Sequence, residues 1–198
     1  MKSLIQRMQA KTNRLLQKYG LAPLKGVMLF MLITLAIHFS FRAWVRVGYY
    51  PIGNAMGLAG TFMEKQVFLQ SLWFNQHILG YDITPVDTTM YFAGKGYIHI
   101  NESCSGLKQF LQVILLFLLY PGPWRKKLWF IPLGILVMHL TNLFRIIGLS
   151  VVLLQWPDSW KFSHDYLFRP FFYVIIFSLW VWWVERLSRP EQRSHSAN

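Results

Sequence analysis

The sequence is poor in cysteine and in potential metal ligands. Cys104 is its one cysteine among 198 residues, and there are only six histidines. A single cysteine excludes an intramolecular disulfide and a metal site built from several cysteines. His77 and His99 are the pair that could suggest a metal site, but no convincing third ligand accompanies them. We therefore predict that the protein uses no metal ion and no other cofactor.

Charged residues are scarce as well, since they make up 14% of the chain, whereas 54% of it is hydrophobic. This balance excludes an ordinary soluble domain. The apolar residues occur in blocks of about 20, the length that crosses a bilayer as a helix. Nine Trp, nine Tyr and sixteen Phe fit the aromatic belts of membrane interfaces. We find no internal repeat and no second domain. We expect no cleavable signal peptide, because about 25 residues precede the first apolar block and no convincing small-residue cleavage site follows it.

Four apolar segments predict four membrane-spanning helices, at about residues 26–45, 106–120, 128–155 and 166–184. Residues 51–80 are only moderately apolar, and we interpret them as a surface or partly inserted helix. Residues 81–101 combine β-branched and aromatic residues with an Ala-Gly-Lys-Gly turn, which is typical of a β-hairpin. The predicted fold class is an all-α polytopic membrane protein with about four transmembrane helices, an outer-face amphipathic helix and a small β-hairpin.

The net charge of +12 is concentrated in three segments. Six basic residues lie within residues 1–25, three follow the second span and three lie in the C-terminal tail, and only two acidic residues accompany these twelve. The rest of the chain has eight basic and six acidic residues. Four spans with both termini in the cytoplasm satisfy the positive-inside rule at every loop. The basic excess therefore follows one face of the lipid bilayer, which argues against a nucleic-acid partner.

This topology places Cys104, within "NESCSGLKQF", at the outer end of the second span. Ser103 or Ser105 can cap the helix that follows, and Gly106 allows close approach of backbone. The amide groups at a helix N-terminus stabilise anions, and the same amides can hold an oxyanion. A nucleophilic thiol is therefore a reasonable interpretation of Cys104, against the alternative of a small packing residue.

Two further candidates reach the same membrane face. Arg145 lies in the third span, near its outer side, and an arginine within a membrane is a functional-site candidate. Asn142 shares its helix face. His164 lies in the predicted outer loop before the fourth span, and Asp165 either orients it or caps that span. A thiol, a guanidinium and an imidazole together suit acyl transfer through a covalent intermediate.

The motifs "SCSGLKQ", "NLFRI" and "SHD" resemble, in order and in membrane placement, the signature sites of the exosortase and archaeosortase family. The resemblance spans roughly residues 99–185, and the predicted span count is similar to the short forms of Bacteroidota. It implies that Cys104, Arg145 and His164 are the catalytic set of a membrane transpeptidase. It also implies precursor substrates that carry a C-terminal motif, one membrane helix and a basic tail. Lys108 stands where many members have arginine.

The resulting expectation is a cysteine transpeptidase or protease in the bacterial cytoplasmic (inner) membrane, with both termini cytoplasmic and the active site at the outer, periplasmic face. It would cleave its precursor through a thioester at Cys104, with Asn142, Ser105 and Asp165 in support. We expect one domain over residues 1–198, composed of a cytoplasmic basic tail, an outer-face cap and a catalytic core, at residues 1–25, 51–103 and 104–185.

Two alternatives remain open on the sequence alone. The chain could be a non-enzymatic scaffold or assembly subunit of an envelope complex, in which the three residues only stabilise packing. Lys108 either extends to lipid phosphates, which we favour, or binds a substrate carboxylate.

Overall fold

The computed structural model describes residues 24–187, so the predicted basic tails lie almost entirely outside the described range. The helices are α1 (Lys25–Arg46), α2 (Gly53–His77), α3 (Leu107–Leu119), α4 (Trp124–Gln155) and α5 (Pro157–Leu187). In this range α1, α4 and α5 are long and apolar enough to cross a membrane. The 13 residues of α3 are apolar but span only about 20 Å, against a hydrocarbon core of about 30 Å. The structure thus contains three candidate spans, and a membrane crossing by α3 stays a prediction.

Large aromatic side chains hold α1, α3, α4 and α5 together. Phe117, Phe130 and Trp183 are fully buried and pack ring against ring, with centroids 4.8 to 5.8 Å apart. Phe30 of α1 packs on Trp180 of α5 at 4.8 Å. Such rings bury a large apolar area at low conformational cost. The polar edge of Trp183 is satisfied as well, because its indole N–H donates to the carbonyl of Pro121 at 3.1 Å.

The connection between α3 and α4 is closed by Lys127. Its Nζ donates to the carbonyls of Leu118 and Tyr120, both at 2.8 Å, and thereby satisfies oxygens that the end of α3 leaves unpaired. α4 begins at Trp124, four residues before the predicted start of the third span, so Lys127 belongs to its first turn. The run of basic residues after the second span predicts a loop at Lys127, whereas the structure buries this residue against the end of α3.

A helix and a small sheet cover the other end of the bundle. α2 packs on α4, where the Asn75 amide donates to the Ser150 hydroxyl at 3.2 Å. The sheet is antiparallel, in the order β1 (Ile83–Val86), β2 (Thr89–Phe92) and β3 (Gly96–His99). All three strands lie within residues 81–101, where a hairpin is predicted, so the sheet has one strand more than a hairpin. The helix predicted within residues 51–80 is present, and its place relative to the membrane stays a prediction.

The predicted loop before the last span is helical, so that part of the prediction was wrong. α5 opens with a 3-10 turn (Pro157–Ser159), continues through Trp160–Phe162 and then forms a π-helical segment, Ser163–Phe168. The polar composition of this stretch indicated a loop. However, pairs spaced i, i+4 stabilise the helical geometry: Trp160 stacks on His164, and Asp165 pairs with Arg169.

Candidate active site

A short 3-10 turn, Glu102–Cys104, places the single cysteine just before α3. Asn101 starts this turn, since its side-chain oxygen accepts the backbone N–H of Ser103 at 3.1 Å and its carbonyl accepts that of Cys104 at 2.7 Å. The Ser105 hydroxyl accepts the backbone N–H of Leu107 at 3.2 Å. Of the two predicted capping residues, Ser105 therefore contacts the start of α3, whereas Ser103 belongs to the preceding turn.

Gly106 fits this turn tightly against α4. Its φ is +86°, a value that glycine adopts without strain. A Cβ at this position would lie 3.3 Å from the amide nitrogen of Asn142. That nitrogen donates to the carbonyl of Cys104 at 2.7 Å. The backbone of Cys104 is thus fixed to α4 through a residue 38 positions away in the chain.

Arg145 lies beside the thiol. Its Nη2 donates to Sγ of Cys104 at 3.4 Å, and its Nη1 lies 3.5 Å from the side-chain oxygen of Asn142. The guanidinium also lies over the ring of Phe172, 5.9 Å from its centroid. The predicted support by Asn142 corresponds to two contacts, one to the carbonyl of Cys104 and one to the guanidinium of Arg145.

Within the described part of the chain, no carboxylate balances the charge of Arg145. The side chain is 7% exposed, and its Nε has no hydrogen-bond partner. Among residues 24–187 no ion pair includes Arg145. An unpaired buried charge is costly. A thiolate on Cys104, or an anionic group of a ligand, would offset that cost.

His164 is held by neighbours on its own helix. Nδ1 lies 2.9 Å from Oδ1 of Asp165, and the ring stacks on Trp160 with centroids 5.2 Å apart. An ionised carboxylate only accepts hydrogen bonds, so Nδ1 of a neutral ring carries the proton and Nε2 is left as an acceptor. The same Asp165 oxygen lies 3.0 Å from Nη1 of Arg169. These contacts favour the interpretation in which Asp165 orients the imidazole.

Two cavities meet at Cys104, Arg145 and His164. The larger, about 650 Å³, lies between α3, α4 and α5, and the smaller, about 520 Å³, extends beneath β3. Both are lined by all three predicted residues. Lys108 and Arg169 also line the larger cavity, and no aspartate or glutamate of the described chain does. The larger cavity is therefore electropositive and suits a ligand that bears or develops negative charge.

Several cavity residues were not predicted. Trp160 and Arg169 had a signal in the sequence, since each is four residues from a predicted residue of the "SHD" motif. Gln112 also had one: it is a polar residue in an apolar helix, four positions after Lys108. Lys108 itself lines the cavity, and contact with lipid phosphates stays a prediction.

The two histidines that could suggest a metal are each hydrogen-bonded to a neighbouring residue through Nδ1. Nδ1 of His99 lies 2.9 Å from the Thr89 hydroxyl, and Nδ1 of His77 lies 3.0 Å from the Trp73 carbonyl. Within the described residues no three metal-ligating side chains cluster. The absence of a cofactor stays a prediction.

A comparison with protein families gives a match over most of the chain. The family model described as "Transmembrane exosortase" matches residues 12–182, a range that includes all three predicted catalytic residues and both cavities. No curated protein and no solved structure matches the chain.

Proposed function

The chain belongs to the transmembrane exosortase family, and from that premise we propose that it is a cysteine transpeptidase whose catalytic residues are Cys104, Arg145 and His164. Exosortases are membrane sorting transpeptidases, so the family accounts for the general activity. The observation that carries the residue assignment is the buried guanidinium of Arg145, which has no carboxylate partner among residues 24–187 and contacts the only thiol of the sequence at 3.4 Å.

Acylation begins with the thiol. Nε2 of His164 accepts the proton of Cys104 as Sγ attacks the carbonyl carbon of the scissile peptide, and the carbonyl electrons move to oxygen. Arg145 donates to this oxyanion, whose oxygen is bonded to the carbon that Sγ has attacked. As the oxyanion collapses, the carbon–nitrogen bond breaks and His164 passes its proton to the leaving amine. The precursor is then bound to Cys104 as a thioester.

A second nucleophile completes the reaction. An amine, or water in a hydrolytic cycle, attacks the thioester carbonyl and gives its proton to His164. The carbon–sulfur bond breaks, and the proton returns from His164 to the released thiolate. Asp165 holds the imidazole through both steps, and Asn142 holds the backbone of Cys104.

The substrate is a membrane-anchored precursor whose C-terminal sorting signal comprises a short motif, one membrane helix and a basic tail. We propose an inner-membrane location with both termini and residues 125–127 in the cytoplasm, which satisfies the positive-inside rule. Residues 51–103 then form an outer-face cap over the catalytic core, residues 104–185. Reporter fusions at Lys126 and Gly94 should report opposite sides of the membrane; the same side for both would overturn this orientation.

Covalent trapping tests the activity against the scaffold alternative. The full chain is expressed with a precursor encoded beside it, and membranes are quenched in acid and digested. Mass spectrometry should find the precursor fragment on the peptide that contains Cys104. Since the chain has one cysteine, a membrane-impermeant thiol reagent also reports on this position alone. A Cys104→Ser variant that still supports normal precursor maturation would favour the scaffold.

A further inference from the structure

Gln112 is a buried polar residue whose amide nitrogen has no partner. It lies on α3 one turn after Lys108, about 8 Å along the helix from Leu107. The side chain is only 3% exposed, and Nε2 makes no hydrogen bond. An unsatisfied buried amide is unfavourable compared with an apolar side chain of the same shape. Packing alone therefore gives no reason for glutamine at this position.

Gln112 faces the larger catalytic cavity. That cavity extends from Cys104 to Gln112 along α3, and on the opposite side it is lined by Phe172, Tyr173 and Ile176 of α5. Its lining is thus polar and basic around Cys104 and also includes apolar side chains of α5. Gln112 is a buried member of this lining, and its amide, like that of Gln109, can both donate and accept hydrogen bonds.

Cleavage of a precursor beside its membrane helix leaves some of its peptide groups without hydrogen-bond partners at the depth of Gln112. The residues next to the scissile bond must leave the helix to reach Cys104, and their peptide groups then lose their intrahelical partners. Within a membrane such groups must be satisfied by protein, because water is scarce there. A primary amide offers two N–H donors and one carbonyl acceptor, and it can therefore pair with both the C=O and the N–H of extended backbone.

We propose that Gln112 binds the main chain of the precursor on the membrane-helix side of the scissile bond and holds that segment extended across the cavity. The inference rests on the proposed function. It adds a positioning residue that binds the backbone of the precursor instead of its side chains. Arg145, whose Nε also lacks a partner, is a second buried donor that lines the same cavity.

The test uses purified full-length protein and a synthetic peptide of the C-terminal tail of a precursor encoded beside it. Gln112→Met keeps the approximate side-chain shape and removes both hydrogen-bonding functions. It should lower the rate constant for thioester formation, measured as kcat/KM, roughly 10- to 100-fold. Its thermal unfolding temperature should be unchanged or higher, because a buried unsatisfied group is lost. Gln155→Met, at an exposed position at the end of α4, is the matched control and should retain the wild-type rate.

Backbone recognition is tested with peptides in which one amide on the membrane side of the scissile bond is replaced by an ester. At the contacted unit this change should slow the wild-type enzyme about tenfold and leave Gln112→Met unaffected, since the two changes remove the same contact. Equal slowing of both enzymes at every position, or a wild-type rate for Gln112→Met, would overturn the inference while the Cys104 thioester still forms. Absence of any thioester in the wild type would overturn the proposed function and the inference with it.

Discussion

Lys127 and Arg145 are two buried basic side chains of α4, with exposures of 6% and 7%. They lie at opposite ends of α3 and about 27 Å apart along α4. Lys127 makes two short hydrogen bonds to backbone carbonyls and closes a helix end. Arg145 makes two long contacts, leaves one nitrogen unpaired and borders two cavities. Burial is thus the same at both positions, and hydrogen bonding differs. The satisfied cation stabilises the fold, whereas the unsatisfied one is available to a ligand or a transition state.

The strongest test of this contrast removes the nucleophile beside Arg145. Cys104→Ala should abolish precursor cleavage, because no other thiol exists in the chain to form the covalent intermediate. Gel mobility of the precursor in membranes measures cleavage, and blotting checks that the variant accumulates. Retained cleavage in Cys104→Ala would show that the site around Arg145 is not catalytic.

The next largest effect is expected at the imidazole. His164→Ala should slow turnover about 10²- to 10⁴-fold, since positioned proton transfer contributes that factor. Single-turnover kinetics with purified protein measure it. His139→Ala is a useful control, because that ring contacts Gln70 at 2.8 Å and lines neither catalytic cavity. If both variants lost activity equally, the loss would be structural.

Arg145→Lys sharpens the comparison because it preserves the charge. We expect a loss of about 10²- to 10³-fold in turnover, or roughly 3 to 4 kcal/mol, since an ammonium cannot reproduce the planar set of donors. The variant should accumulate in membranes as the wild type does. Near-normal processing by Arg145→Lys, combined with failure of Arg145→Ala to accumulate, would make Arg145 a second structural cation.

The smallest effect on catalysis is expected at the other cation. Lys127→Met keeps the aliphatic stem but leaves the carbonyls of Leu118 and Tyr120 without their donor, which should lower the free energy of unfolding by about 1 to 3 kcal/mol. Turnover per folded molecule should stay within about twofold of wild type. Thermal melting in detergent and turnover normalised to folded protein separate the two quantities. A large loss of turnover with unchanged melting would contradict the structural role.

Much of the site followed from the sequence, for identifiable reasons. Helix periodicity puts Asn142 and Arg145 on one face of a helix. The position of Cys104 before an apolar helix is likewise evident from the sequence. The structure brings these three residues together. His164 was predicted as a candidate, although its local structure was predicted wrongly, because a polar stretch was taken for a loop. Gln112 was missed although a polar residue within an apolar helix is a signal in the sequence, and only the structure shows that it is buried, unpartnered and at the cavity.

The sequence by itself determined that this is a multi-pass membrane protein of the exosortase family and which residue types can carry its chemistry. Hydropathy and motif order are properties of contiguous segments, so they can be read without knowing how the segments pack. Only the tertiary structure decided which buried cation is satisfied and how far the cavity extends from Cys104. Those features depend on individual hydrogen bonds between distant segments, such as the contact that joins Arg145 to a residue 41 positions away. Their geometry is fixed by the packing of α3, α4 and α5, which no segment specifies alone.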